Sequence, residues 1–213
     1  MRLSALRTFT AAFAIAAVAT GATAAPIIGL GDPLTHPALT GGTQEGFDAV
    51  ATGQYASLTL GNVTYIGVDA PFDIDTDFNG SFNTTGGKSM LNDFDLVPSS
   101  YRFNFGTPVS AFAFNWGAAD FNWTLRAFDA GNNLLESLAV TPTFGSNAGE
   151  YFGIATPGIA YATLTLNPGE SLDYVFIDRF TISDAAAVPE PLTLALFGAG
   201  LAGIAAHRRR ARR

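Results

Sequence analysis

Regularly spaced oxygen-bearing side chains between residues 73 and 80 have the chemistry to bind a metal ion. Asp73, Asp75, Asp77 and Asn79 occupy alternate positions, and Gly80 follows as a turn residue. Calcium takes six to eight oxygen ligands, many of them from Asp and Asn. An EF-hand loop shares the spacing that starts at Asp75, but it ends in Glu at its twelfth position, and residue 86 is Gly. The pattern therefore predicts either a calcium loop of another kind or a solvated acidic strand and turn.

Asp178 is unusual for a different reason, because it interrupts an aromatic and aliphatic strand face between Phe176 and Phe180. A carboxylate buried on such a face needs a partner, since an unpaired charge is costly in an apolar interior. Two interpretations follow. Asp178 is a further calcium ligand, or it lies at a sheet edge or pairs with an arginine such as Arg126.

Aromatic side chains offer a second chemistry, because an apolar ring face can stack on the CH groups of a pyranose. Trp123 and Tyr151 supply rings, and Asp120 supplies a carboxylate for sugar hydroxyls. These three residues are the predicted carbohydrate-binding set. The alternative is that the rings form the core of a β-sandwich, which is the interpretation that we adopt for Trp116.

Catalysis has little support in the sequence. His36 is the single histidine between residues 25 and 187, and the chain has no cysteine. A Ser-His-Asp arrangement needs a positioned histidine base, and zinc sites built on His or Cys lack ligands here. Glycoside hydrolysis needs only two carboxylates, but 17 acidic residues make any chosen pair uninformative. We therefore expect a protein that is not an enzyme.

The elements that must position these residues are predicted to be β-strands. Short runs of alternating apolar and polar residues, separated by Gly, Pro, Asn and Asp, fill residues 47–184. One such run is Tyr101, Phe103 and Phe105, and Asp129 to Asn132 is a turn signal between two others. The pattern predicts an all-β, jelly-roll-like two-sheet sandwich. Residues 25–46 are predicted as a flexible lead-in and residues 185–187 as a linker.

The charge is unevenly distributed along the 213 residues. Residues 25–187 hold four basic and 17 acidic side chains, a net charge of −13, whereas the whole chain sums to −7. A nucleic-acid-binding domain needs a basic face, so nucleic acid is excluded as a partner. The absence of cysteine also means that no disulfide reinforces the sandwich.

Both ends of the chain have the layout of targeting segments. Residues 1–24 combine Arg2 and Arg7, an apolar stretch and the small residues of Ala22-Thr23-Ala24, which predicts a signal peptide cut by signal peptidase. Residues 192–206 are uncharged and precede an Arg-rich tail, residues 207–213. As a helix these 15 residues would be about 22 Å long, somewhat short of the ~30 Å hydrocarbon core of a membrane. We predict a single transmembrane helix with cytoplasmic arginines.

The C-terminal segment, residues 188–213, resembles the PEP-CTERM sorting signal. The resemblance is carried by Val188, Pro189, Glu190 and Pro191, by the apolar helix that follows, and by Arg208, Arg209 and Arg210. It implies export by a Gram-negative bacterium, transient anchoring in the inner membrane and processing by an exosortase near Pro-Glu-Pro. Bacteria with this system usually also make an exopolysaccharide.

The later half of the central domain resembles a β module often found ahead of such tails, through AFAFNW, LRAFDAGNNLLES, GEYFGIA and DYVFIDRFTIS. That resemblance implies a secreted β-sandwich without a defined activity. We therefore expect an exported structural or adhesive protein of the cell surface or extracellular matrix, associated with exopolysaccharide. The alternatives are a carbohydrate-binding module with an aromatic platform and, third, a glycan-processing enzyme.

Overall fold

The computed structural model describes residues 24–76, 78, 80–92, 97–170 and 173–184. Most of the predicted signal peptide, the linker and the sorting segment with its transmembrane helix lie outside these residues. Within the described part of the chain, no helix is long and apolar enough to cross a bilayer.

The described residues form antiparallel β-strands and one short 3-10 helix, Pro33–Thr35. The strands are β1 (Ala25–Gly29), β2 (Thr43–Glu45), β3 (Gly53–Tyr55), β4 (Ser57–Leu60), β5 (Val63–Gly67), β6 (Phe72–Asp75), β7 (Ser89–Leu91), β8 (Ser100–Gly117), β9 (Trp123–Phe128), β10 (Leu134–Val140), β11 (Tyr151–Leu166) and β12 (Phe176–Asp184). The predicted all-β class is confirmed.

The two longest strands, β8 and β11, form a central ribbon that bends between two layers. The first half of β8 pairs with β5 on one side and with the second half of β11 on the other. The second half of β11 also pairs with β9, and β9 pairs with β10. The second half of β8 pairs with β12 and with the first half of β11, which continues to β1. On the side away from β8, β12 pairs with β2 and with β7. β7 pairs in turn with β6, and β6 pairs with β3.

Ring contacts within β8 show how sharply this ribbon bends. The ring centroids of Phe103 and Phe114 are 5.8 Å apart, and those of Phe105 and Phe112 are 5.4 Å apart. An extended strand would separate residues 103 and 114 by roughly 36 Å at ~3.3 Å per residue. The strand therefore folds back near Gly106 to Pro108, and the pairing of β11 shifts register at the same level, between Ala155 and Ile159. The result is a sandwich-like architecture.

Aromatic rings fill the space between the two layers. The ring centroid of Phe180 on β12 lies 4.9 Å from that of Phe103 and 5.2 Å from that of Tyr65, and both of these residues belong to the opposite layer. Trp116 and Trp123 meet edge to face across the same space at 5.3 Å. All five side chains are fully buried. Because the chain has no disulfide, burial of these large apolar surfaces is the main stabilising contribution.

The prediction that residues 25–46 form a flexible lead-in is wrong. β1 pairs with β11 along its whole length, from Ala25 opposite Ala155 to Gly29 opposite Tyr151, and β2 pairs with β12. Ile27 and Leu39 are completely buried in a small second cluster. The Gly, Pro and Thr content suggested a loose segment, but single apolar residues suffice to anchor it to the sheet.

Candidate functional site

A polar groove of about 230 Å³ lies where three loops meet strands β8 and β12. The loops follow β1, join β6 to β7, and join β10 to β11. The side chains that line the groove include Asn83, Thr84, Thr85, Asn115, Asn147 and Arg179. The sequence did not predict this grouping, because its members are distant in the chain and belong to loops without a shared motif.

Asn115 on β8 lies beneath this groove and is only 2% exposed. Its side-chain Nδ2 donates to the carbonyl oxygens of Gly31 (3.0 Å) and Gly149 (2.9 Å), which fixes the orientation of the amide. The opposite atom, Oδ1, is buried and has no hydrogen-bond partner among the described residues. Asn115, which lines the groove, therefore carries a buried amide oxygen without a hydrogen-bond donor among the described residues.

Asn83 holds two of the groove loops together. Its Nδ2 donates to the carbonyl oxygen of Trp116 at 2.8 Å, and its Oδ1 accepts from the backbone N–H of Gly149 at 2.8 Å. One residue earlier, the N–H of Phe82 donates to Oδ1 of Asn147 at 2.6 Å. These bonds link the β6–β7 loop both to β8 and to the β10–β11 loop, so the groove walls are cross-linked.

Arg179 supplies the cationic side chain of the groove. It lies at a bulge in β12, where the pairing with β8 shifts register between Asp178 and Thr181. Its φ of 45° is in the left-handed region, which costs a residue other than glycine roughly 1–3 kcal/mol. The side chain is 34% exposed, and its Nη1 lies 3.9 Å from Oδ2 of Asp32.

Asp178 is buried, and donors from the protein occupy its carboxylate. Oδ2 accepts from the N–H of Thr85 (2.7 Å) and from its hydroxyl (2.6 Å), while Oδ1 accepts from the N–H of Arg179 (2.7 Å). The edge position and the pairing with Arg126 that the sequence suggested for Asp178 are thereby corrected. Its partner is Thr85 rather than Arg126, and β12 lies inside the sheet rather than at its edge. The carboxylate anchors the β6–β7 loop and the bulge at Arg179.

The other predicted calcium ligands lie on or after β6. Asp73 and Asp75 are half-buried on this strand, and β7 separates it from β12, so that they lie two strands away from Asp178. Asp77 and Asn79 lie outside the described residues. Among the residues that the structure describes, no three His, Cys, Asp or Glu side chains are grouped to hold a metal ion. Calcium binding stays a prediction. Melting with and without millimolar calcium tests it, with Asp75→Asn as the control.

The predicted sugar platform at Trp123 and Tyr151 is corrected by their burial. Trp123 is fully buried, and its Nε1 donates to Oδ2 of Asp173 at 2.7 Å. Tyr151 is 4% exposed, and its ring packs against Gly29. Neither ring offers a free face to a sugar, so the alternative of an aromatic core applies. Asp120 is exposed, and its backbone N–H donates to Asp173.

An exposed aromatic residue that the sequence analysis missed lies next to the groove. Phe78 is 54% exposed, and its ring packs edge to face on Phe82, at a centroid distance of 5.3 Å, and on Phe176, at 5.8 Å. Its carbonyl oxygen lies 3.3 Å from the hydroxyl of Thr84, a groove residue whose proton has a closer acceptor in the carbonyl oxygen of Ser81 at 2.8 Å. A phenylalanine directly before the turn signal Asn79-Gly80, outside any strand alternation, was the available indication.

The C-terminal part of the chain, outside the described residues, gives a match to a known family. Residues 187–210 match the model of the PEP-CTERM protein-sorting motif. The chain carries a PEP-CTERM sorting motif. The match includes the predicted recognition residues Val188 to Pro191 and Arg208 to Arg210. This motif marks an exported protein that is transiently anchored by its C-terminus, and it implies an exosortase as partner.

Several solved structures are similar in part to this chain. The K1 cleaved adhesin domain of Lys-gingipain from Porphyromonas gingivalis W83 is 12% identical, with a TM-score of 0.43 over 68% of this chain and 99% of that one. A mutant of the family 29 carbohydrate-binding module CBM29-2 is 9% identical, with a TM-score of 0.33 over 79% and 99%. The enzymatically active domain of tailspike protein 4 from bacteriophage CBA120 is 15% identical, with a TM-score of 0.36 over 59% and 20%. No curated protein matches the sequence.

Proposed function

We propose that this protein has a structural or adhesive role at the cell surface or in the extracellular matrix, in association with exopolysaccharide. The observation that carries the proposal is the PEP-CTERM sorting motif at residues 187–210, behind a single sandwich-like domain. In this proposal a signal peptidase removes residues 1–24. The helix of residues 192–206 then anchors the chain in the inner membrane until an exosortase acts near Pro189 to Pro191.

The proposed role does not include catalysis. Its support is the use that the fold makes of Asp173 and Asp178, the two carboxylates that are 1% exposed among the described residues. Asp178 accepts three hydrogen bonds from Thr85 and Arg179. Asp173 accepts from Trp123 and from the backbone of Asp120 and Phe121. Carboxylates that are engaged in this way position loops, whereas a general acid or base must be free to reach a substrate.

Deletion of residues 188–213 tests the sorting part of the proposal. We expect the truncated chain to be absent from the cell surface and to be recovered from the periplasm or medium. A second variant, with Pro189, Glu190 and Pro191 all changed to Ala, keeps the apolar segment and should remain unprocessed in the inner membrane. Surface delivery of the truncated chain at the level of the full chain would contradict the proposal.

The proposed association with exopolysaccharide has its own test. Full-length protein is followed by fractionation in cells that make the polysaccharide and in isogenic cells that do not. We expect retention in the matrix of the first and release into the medium from the second. Equal retention in both strains would separate the protein from the polysaccharide while leaving its sorting intact.

A second candidate function, carbohydrate binding, is favoured by the polar groove. Amides, hydroxyls and a guanidinium converge there, and such convergent polar groups are typical of sites for polar ligands. The binding of any polysaccharide by the full chain, measured by co-sedimentation, is the first test of this candidate.

A further inference from the structure

The electrostatics of the groove limit what can bind in it. Arg179 places a guanidinium on its wall, and the carboxylates of Asp32, 3.9 Å away, and of Asp178, at the same bulge, offset its charge, so the wall favours neither a metal cation nor an anion. The amide of Asn115 is an uncharged polar group of the groove, held by the carbonyl oxygens of Gly31 and Gly149, and adds no charge to it. The charge of −13 over residues 25–187 also repels an acidic polymer. A neutral ligand with both donors and acceptors satisfies all three conditions.

The size of the groove limits the ligand further. Its volume of about 230 Å³ lies below the roughly 300–1,000 Å³ of sites for drug-sized molecules. One sugar residue of a longer chain fits this space, with the rest of the chain lying on the surface. The neighbouring hydroxyls of such a residue can accept from the guanidinium of Arg179 and donate to oxygen acceptors such as that of Thr84.

The surface beside the groove carries a ring of the kind that sugars stack on. Phe78 is 54% exposed, and the other rings of its cluster hold it in place. The loop that bears Phe78 also supplies Thr84 and Thr85 to the groove wall. An apolar face and convergent polar groups on one loop match the two kinds of surface that a pyranose has.

We propose that the groove and Phe78 together bind a neutral polysaccharide, one residue of which lies in the groove beside Arg179. This inference rests on the second candidate function, carbohydrate binding, and names its site and ligand class. Phe78 takes the stacking role that the sequence assigned to Trp123 and Tyr151. The polar contacts come from a residue at a strained bulge, which is where functional side chains are often held.

Isothermal titration of the full chain tests the proposal. The protein is solubilised in a polyoxyethylene detergent, because glycoside detergents would compete for the site. The probes are neutral hexasaccharides of glucose, mannose, galactose and xylose, with a uronic acid hexasaccharide as the acidic arm. We expect at least one neutral probe to bind and the acidic probe not to bind.

Two variants and two matched controls locate the site. Arg179→Gln removes a charged donor and should weaken binding roughly tenfold. Phe78→Ala removes the ring and should weaken it about three- to tenfold. The controls are Arg126→Gln, which changes an exposed arginine on β9, and Leu134→Ala, which changes a residue that is 54% exposed, as Phe78 is. Both should leave the affinity unchanged. Melting temperatures verify that all four variants fold.

The remaining outcomes each overturn the proposal. Binding that Arg179→Gln and Phe78→Ala do not change would place the sugar elsewhere. Binding of the uronic acid probe alone would make the ligand anionic, and binding of no probe would remove the site. In each of these cases the sorting proposal would be unaffected, because it is measured separately by surface delivery of the full and truncated chains.

Discussion

The indole Nε1 of Trp123 donates to Oδ2 of Asp173 at 2.7 Å inside the sandwich, although the two residues lie 50 positions apart. The same carboxylate accepts from the N–H of Asp120 at 2.8 Å and from that of Phe121 at 3.3 Å. One buried acid therefore fixes the segment that joins β8 to β9 and orients a core tryptophan. It does so from the residues just before β12.

Replacement of Asp173 by Ala should be strongly destabilising. The substitution leaves Nε1 of Trp123 and two backbone N–H groups without their acceptor, and each unpaired buried donor costs about 1–3 kcal/mol. We expect the free energy of unfolding to fall by about 3 kcal/mol, measured by denaturant titration. The control is Asp120→Ala, an exposed neighbour, which should change it by less than ~0.5 kcal/mol. Equal effects of the two substitutions would contradict this role of Asp173.

The same carboxyl should make stability depend on pH. Burial raises the pKa of Asp173 above its ordinary value of 3.8, and the hydrogen bonds from Trp123, Asp120 and Phe121 offset part of that increase. In the pH range between the two values, the folded state binds more protons than the unfolded state, so the contribution of Asp173 to stability falls as pH rises. The stability of the wild type relative to Asp173→Asn should therefore increase as the pH is lowered from 7 to 4. A decrease of this stability difference as the pH is lowered would mean that the pKa of Asp173 is lowered by folding rather than raised.

Two tyrosine hydroxyls in the core differ from the carboxylate of Asp173, because they are buried without hydrogen-bond partners among the described residues. The hydroxyls of Tyr65 and Tyr101 are buried without a hydrogen bond among the described residues. Burial is also the main reason why the pKa of each phenol is well above its ordinary value. Changing either residue to Phe keeps the ring and removes the unpaired group, so stability should stay equal or rise by up to ~1 kcal/mol.

Tyr55 provides the matched control for these two substitutions. Its hydroxyl donates to the carbonyl oxygen of Ala51 at 2.8 Å, so Tyr55→Phe loses a bond and should lower stability by about 0.5 kcal/mol. Denaturant titration of the three variants compares them directly. Destabilisation by more than 1 kcal/mol in Tyr101→Phe would mean that its hydroxyl has a partner in solution.

Local patterns predicted the strands and turns of this fold because both depend on near neighbours. The alternation of Tyr101, Phe103 and Phe105 became the first half of β8, with all three rings buried. The turn signal at Asp129 became a hairpin in which the carboxylate accepts from the N–H groups of Gly131 and Asn133. The PEP-CTERM motif was equally local and was matched directly.

The groove was not predictable, because long-range pairing assembles it. Thr85 and Asp178 are 93 positions apart, yet they are hydrogen-bonded. Asn115 and Gly31 are 84 positions apart and are also bonded. The fold-back of β8 brings aromatic residues of its own two halves together, Phe103 with Phe114 and Phe105 with Phe112. Trp123 is buried, whereas Phe78, which the sequence pattern did not single out, is exposed.

Gly117 tests how closely the loop that bears Phe78 is bound to β8. A Cβ at this position would lie 1.6 Å from the carbonyl oxygen of Phe82, so Gly117→Ala must displace the backbone of that loop. We expect a loss of stability of more than about 2 kcal/mol, since a backbone atom cannot yield as a flexible side chain does. Gly106→Ala is the control, because its Cβ would lie 3.1 Å from Oδ1 of Asn62, a contact that a shift of a few tenths of an ångström relieves, and it should cost under ~1 kcal/mol. If Gly117→Ala were as stable as Gly106→Ala, the loop would not be held against β8. The cross-linked groove wall that depends on Phe82 and Asn83 would then be lost as well.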